Sequence, residues 1–111
     1  LKKKTPTNAH IAAYIQANIY NRDCISINMI ANHFNISPSY FSTYFKRNFE
    51  ISYKEYIEKI QIQLIKRRLE TGEIKLKEIA NEFDFTDVSH LSKFFKRREG
   101  LNPSEYKNTG K

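Results

Sequence analysis

One cysteine, three glycines and no long apolar run set the first bounds on this chain of 111 residues. Cys24 has no second cysteine with which to form an internal disulfide, and a lone thiol fits a reducing compartment. His10, His33 and His90 are scattered, so no Cys/His set has metal-ligand spacing; neither a metal nor any other cofactor is expected. No apolar stretch approaches the roughly 18 residues of a membrane span, and no secretory signal opens the chain. Glycine is too scarce for a phosphate-cradling loop, and no nucleophile–base pair stands out, so the chain does not read as an enzyme. Nor does any segment alternate as a strand does. What remains is an all-α protein.

What the sequence does have is a segment used twice. Residues 27–56 read INMIANHFNISPSYFSTYFKRNFEISYKEY, and residues 76–106 read LKEIANEFDFTDVSHLSKFFKRREGLNPSEY. The copies share Ile-Ala-Asn, a Phe three positions after the Ala, Phe-Lys-Arg and Glu-Tyr, with one residue of slippage in the turn. About ten positions match, which marks one structural unit present twice. Each copy is a short helix, a tight turn and a second helix that is apolar on one side and small, polar or basic on the other. That pattern is the sequence form of a helix-turn-helix. The formal net charge of +7 fits a polyanionic partner, nucleic acid or an anionic membrane, and fits equally a solvated basic surface.

About seven helices follow from periodicity and capping residues. Thr7 or Asn8 caps a first helix whose core stripe is Ile11, Ile15 and Ile19. Ser26 caps a second, carrying Ile27, Ile30, Ala31 and Phe34. Asn35-Ile36-Ser37 is a turn, because Asn tolerates a left-handed backbone and Ile36 can plug the corner. Ser37 and Pro38 then start a helix to about Asn48 that buries Phe41 and Phe45. A helix over 53–70 with Tyr56, Ile57, Ile60, Leu64 and Ile65 as its stripe spans roughly 27 Å; Gly72 stops it. The second copy repeats the plan: Leu76, Ile79, Ala80 and Phe83, then a turn at Asp84-Phe85-Thr86 with Thr86 as the cap. A helix burying Leu91 and Phe95 follows, and a short last helix runs from Pro103 to about Lys107. The expected division is a linker end at 1–6, a first subdomain at 7–52, a connecting helix at 53–71, a second subdomain at 72–107 and a frayed tail at 108–111. The absence of an initiator Met and the Lys2-Lys3-Lys4 run read as the start of a fragment of a longer parent.

The exposed faces of the two second helices carry the chemistry. Ser39, Ser42, Thr43 and Lys46 share one face of the first, away from Phe41 and Phe45. Short side chains let a helix backbone approach base pairs, and their hydroxyls can donate to or accept from base edges. Ser89, Ser92, Lys93 and Lys96 hold the same places in the second, with His90 at the edge as a hydrogen-bonding surface residue. Lys93 can reach guanine O6 and N7, or a phosphate instead. Lys46-Arg47 and Lys96-Arg97-Arg98 close the two helices, where cations suit the helix dipole and can clamp phosphates. Ser37, Tyr40 and Thr86, at the helix starts, are further candidates for phosphate. The candidate base contacts are therefore Ser39, Ser42, Thr43, Ser89, Ser92 and Lys93. The candidate backbone contacts are Ser37, Tyr40, Lys46, Arg47, Thr86, Lys96, Arg97 and Arg98.

The run Ile79-Ala80-x-x-Phe83-x-Phe85-x-Asp87-x-Ser89-x-Leu91-Ser92-x-x-Phe95-Lys96, the closing Gly100-Leu101-x-Pro103-x-x-Tyr106 and the doubled unit resemble the DNA-binding domain of the AraC/XylS transcription regulators. The resemblance covers nearly the whole chain. It implies two homeodomain-like helix-turn-helix subdomains joined by a long helix, with recognition helices in successive major grooves of double-stranded DNA. It also implies transcription regulation, leaning to activation, as the output domain of a longer bacterial protein in the cytoplasm and nucleoid. RNA polymerase is then a second partner, and any dimerisation lies in a region N-terminal to this chain. Four positions depart from the family pattern. Asp84 and Glu50 stand where Gly is usual, the first with a changed local backbone expected; Gln61 and Ile65 stand where the connecting helix usually has Arg and Ala.

Two other classes compete. A protein-docking module would expose an aromatic or aliphatic face, whereas these faces are Ser, Thr and Lys. Membrane-surface binding needs a free apolar stripe, and here the stripes are used within the two units.

Overall fold

The computed structural model describes residues 6–109. Of the expected linker end, residues 1–5 lie outside the described part, as do residues 110 and 111 of the expected tail. Seven helices and no strand occur among the described residues: α1 Asn8–Asn18, α2 Ile27–His33, α3 Pro38–Phe49, α4 Tyr53–Thr71, α5 Leu76–Glu82, α6 Val88–Glu99 and α7 Pro103–Thr109. Two compact units divide the chain inside α4, Leu1–Ile57 and Glu58–Lys111.

In the first unit, capping residues start each helix. Thr7 Oγ1 accepts from the His10 N–H at 3.1 Å, Ser26 Oγ from Met29 at 3.2 Å and Ser37 Oγ from Tyr40 at 3.0 Å. Each satisfies a backbone donor that the first helical turn leaves without a partner. Ile11, Ile15, Ile30, Ala31, Phe41 and Phe45 are buried, with α2 against α3. The rings of Phe41 and Phe45 meet Tyr53 edge-on at 5.1 and 5.2 Å. Tyr53 also donates its phenol proton to the Ile25 carbonyl at 2.8 Å, which satisfies a buried hydroxyl. Burial pushes the pKa of that phenol upward.

The second unit is built around Ile65, Leu69, Ile79, Ala80, Phe83, Leu91 and Phe95, with Ile62, Phe85 and Phe94 completing the core. Arg68 fastens α4 to α5 through a two-point pair with Glu82, Nε to Oε1 at 2.8 Å and Nη2 to Oε2 at 2.7 Å. Tyr106 of α7 packs edge-on against Phe95 and donates to Glu70. That hydrogen bond, aided by burial and by the charges of Glu70 and Glu99, pushes its phenol up to about 12. It therefore remains a donor at neutral pH.

The turns of the two units have the same geometry. In the first, Asn35 N–H donates to the Asn32 carbonyl and Ile36 N–H to that of Ala31, both at 3.0 Å. In the second, Asp84 N–H donates to Asn81 at 3.1 Å and Phe85 N–H to Ala80 at 2.8 Å. This nested pair of bonds closes a helix through one left-handed residue followed by an apolar one. The left-handed residues are Asn35, φ 59°, and Asp84, φ 63°. The backbone change expected at Asp84 does not separate it from the other copy, because Asp adopts the left-handed region itself.

Several sequence expectations need correction. Asp87, not Thr86, caps α6, with Oδ1 accepting from the His90 N–H at 2.9 Å; the inserted residue of the second turn puts Thr86 one place too early. The α4 stripe is also different. Ile60 and Leu64 are only half-buried, and Tyr53, Ile57, Ile62, Ile65 and Leu69 are the buried apolar positions. One helix supplies two cores here, so a single stripe does not describe it. Gln61 lies on the buried side of α4, between Ile57 and Ile65 at helical spacing. Phe94 is buried as well as Leu91 and Phe95. Finally, α7 runs to Thr109, past its expected end at Lys107 and into the expected frayed tail.

Glu50 ends α3 with φ 67°, the place that Gly100 holds at the end of α6 with φ 85°. A side chain there costs about 1–2 kcal/mol. Replacing Glu50 by Gly removes that strain but frees the unfolded chain. The expected net gain for Glu50→Gly is about 0.5–1 kcal/mol, read as a higher urea midpoint with an unchanged slope. A lower midpoint would show that Glu50 makes a compensating contact.

Candidate nucleic-acid interface

Both second helices present the two-sided character a groove-reading helix requires. On α3, Phe41 and Phe45 are fully buried, while Ser39, Thr43 and Lys46 are exposed and Ser42 is half-exposed. On α6, Leu91 and Phe95 are fully buried, while Ser89, Lys93 and Lys96 are exposed and Ser92 is half-exposed. Within each unit the candidate base contacts therefore share one accessible face. The buried rings on the opposite side prevent that face from rotating inward.

The helix starts differ between the units. Ser37, exposed, is committed as the α3 cap through one lone pair, and its hydroxyl proton remains available to an acceptor. Tyr40 is 48% exposed and stacks on Tyr44 at 6.2 Å. Tyr44 is anchored in turn by donating to the Pro6 carbonyl at 2.9 Å. On α6, His90 is half-buried: its Nδ1 accepts from the Thr86 N–H at 3.4 Å, and its ring meets Phe85 edge-on at 5.0 Å. It braces the turn as well as standing at the edge of the polar face. Thr86 is exposed beside a hollow of about 380 Å³ between α5 and the start of α6, which Lys77, Asn81, Asp87 and Ser89 also line.

The cations at the helix ends are not equivalent. Lys46, Arg47 and Lys96 are exposed and make no ion pair among the described residues. Arg97 and Arg98 both pair with Glu58, Arg97 Nη2 to Oε2 at 3.1 Å and Arg98 Nη1 to Oε1 at 3.3 Å. The Arg97 side chain is 58% exposed and Arg98 only 22%. Sequence reading grouped these two arginines and missed Glu58, which lies 39 and 40 residues from its partners and belongs to no local pattern. Lys77 was also missed; its only sequence signal is a basic residue on the polar side of α5. No group of His, Cys, Asp and Glu among the described residues could hold a metal, and no helix there is long and apolar enough to cross a membrane.

Two small helical units, each with a capped second helix whose polar, basic face stands clear of its core, define a double helix-turn-helix protein. The helix-turn-helix domain family matches residues 30–109. The raffinose operon transcriptional regulatory protein of Pediococcus pentosaceus is 32% identical over 108 residues, covering 96% of this chain and 38% of that protein. The Msm operon regulatory protein of Streptococcus mutans is 32% identical over 83 residues, covering 75% of this chain and 30% of its own length. Among solved structures, the C-terminal domain of AraT, a response regulator from Geobacillus stearothermophilus, superposes with a TM-score of 0.86 at 26% identity, covering 97% of this chain and 88% of that one. The chain belongs to the AraC/XylS-type helix-turn-helix family of DNA-binding transcription regulators. It spans less than half the length of either curated relative.

Proposed function

We propose that this chain is the output domain of a longer bacterial regulator and reads double-stranded DNA by sequence, with α3 and α6 in successive major grooves. The observation that carries this reading is the pair of exposed Ser/Thr/Lys faces, each backed by a fully buried aromatic or aliphatic face. Grooves one helical turn apart lie about 34 Å apart and would give two half-sites in direct orientation. The half-sites should differ, because Thr43 on α3 stands where Lys93 stands on α6. Ser39, Ser42, Thr43, Ser89, Ser92 and Lys93 meet base edges in this reading. Lys46, Arg47, Lys96 and Arg97 meet phosphates, with Ser37, Tyr40 and Thr86 at the helix starts. Activation of transcription, contact with RNA polymerase and action in the bacterial cytoplasm belong to the same proposal, with the family resemblance as their support. Any dimerisation falls to parts of the parent outside this chain.

Lys93→Ala tests the assignment of bases to α6. The expected result is a loss of about 1–3 kcal/mol on the best site, with relaxed preference at one or two base pairs. An equal loss on the best site and on random duplex would make Lys93 a phosphate contact instead.

A further inference from the structure

Glu58 holds two cations of the recognition helix at once, one on each carboxylate oxygen. It is itself largely buried, with its side chain 14% exposed. The first unit has no such arrangement: Arg47 makes no ion pair among the described residues, and Asn48, in the place of Arg98, donates to the Tyr44 carbonyl at 2.8 Å. We propose that Glu58 sets the phosphate affinity of the second unit by keeping Arg98 off the DNA while releasing Arg97 to it. The proposal rests on the DNA-contact reading above.

The asymmetry follows from exposure. The Arg97 pair is open to water and weakly held, because solvent and salt screen it. When Arg97 leaves for a phosphate, Glu58 keeps Arg98, so no buried charge is left unpaired. Removing Arg98 as well would strand the carboxylate in a poorly solvated place, which opposes that second exchange. Two arginines on one acid thus act as one available cation. Phe94 lies 5.6 Å beneath the Arg97 guanidinium and gives it a ring to rest on while it changes partner.

The test measures binding of the whole chain to a random-sequence duplex as salt is varied, for wild type, Glu58→Gln, Arg98→Gln and the double variant. Glu58→Gln should bind several-fold tighter, with a log–log salt slope steeper by about 0.9, one further phosphate contact. Arg98→Gln alone should flatten the slope by about 0.9, because Glu58 then has only Arg97 to hold, and combining it with Glu58→Gln should return the slope to that of wild type. Glu58→Gln that keeps its melting temperature yet binds no tighter overturns the proposal. Should Glu58→Gln fail to fold, the double variant decides: a slope equal to that of wild type supports the proposal, and one flattened by about 0.9 places Arg98 on phosphate already and overturns it. Wild type that binds no duplex at any salt overturns the DNA-contact reading and this inference together; normal wild-type binding with an unresponsive Glu58→Gln overturns this inference alone.

Discussion

Phe95→Ala should destabilise the second unit by about 3–5 kcal/mol, the range for emptying a fully buried aromatic site. Phe95 has no exposed surface and lies in a core with Ile65, Leu69, Ile79 and Leu91. Its ring also receives Tyr106 edge-on at 5.5 Å, which holds α7 in place. Small domains keep only about 5–15 kcal/mol in total, so one ring supplies a large share of what holds the α6 reading face outward. The expected thermal shift is about 12 °C or more. Lys96→Ala, one position on but exposed, should change stability by no more than about 0.5 kcal/mol. The pair of melting curves checks the assignment of faces on α6. A small shift for Phe95→Ala would mean that the α6 core face is not the one described.

Salt should weaken binding to random duplex by about 150-fold between 50 and 200 mM, from a slope near −3.6. The figure counts four cations at the helix ends, Lys46, Arg47, Lys96 and Arg97, at about 0.9 counterion released per phosphate neutralised. Arg98 is left out because it is 22% exposed and paired with a largely buried Glu58. The neutral groups Ser37, Tyr40 and Thr86 can bond phosphates without releasing ions, so they add affinity but no slope. A duplex titration at several salt concentrations reads the slope directly. A slope near −1 would remove most of these residues from the DNA backbone, and one steeper than about −6 would bring in cations such as Lys77 or Lys93.

Local patterns carried most of the fold. The caps at Thr7, Ser26 and Ser37 were legible because each depends on a side chain reaching a backbone N–H three residues on. The duplicated Ile-Ala-Asn and Phe-Lys-Arg located both units, since each copy needs the same small residue and ring at its crossing. Where the copies differ, inference from one to the other failed. The extra residue in the second turn moved the α6 cap from Thr86 to Asp87. The α4 stripe was misread because Ile57 and Ile62 belong to different cores, and a single period does not fit both. At the site, the polar faces of α3 and α6 could be read from spacing, but the pairing of Arg97 and Arg98 with Glu58 could not. That contact joins residues far apart in the chain through tertiary structure alone.

Selection of this chain on a random duplex library at about 150 mM salt, where nonspecific phosphate binding is already weakened, tests the central claim of two working readers most directly. The expected result is an enriched motif of two unlike blocks, one helical turn apart and in direct orientation. A single enriched block, or none, would contradict it.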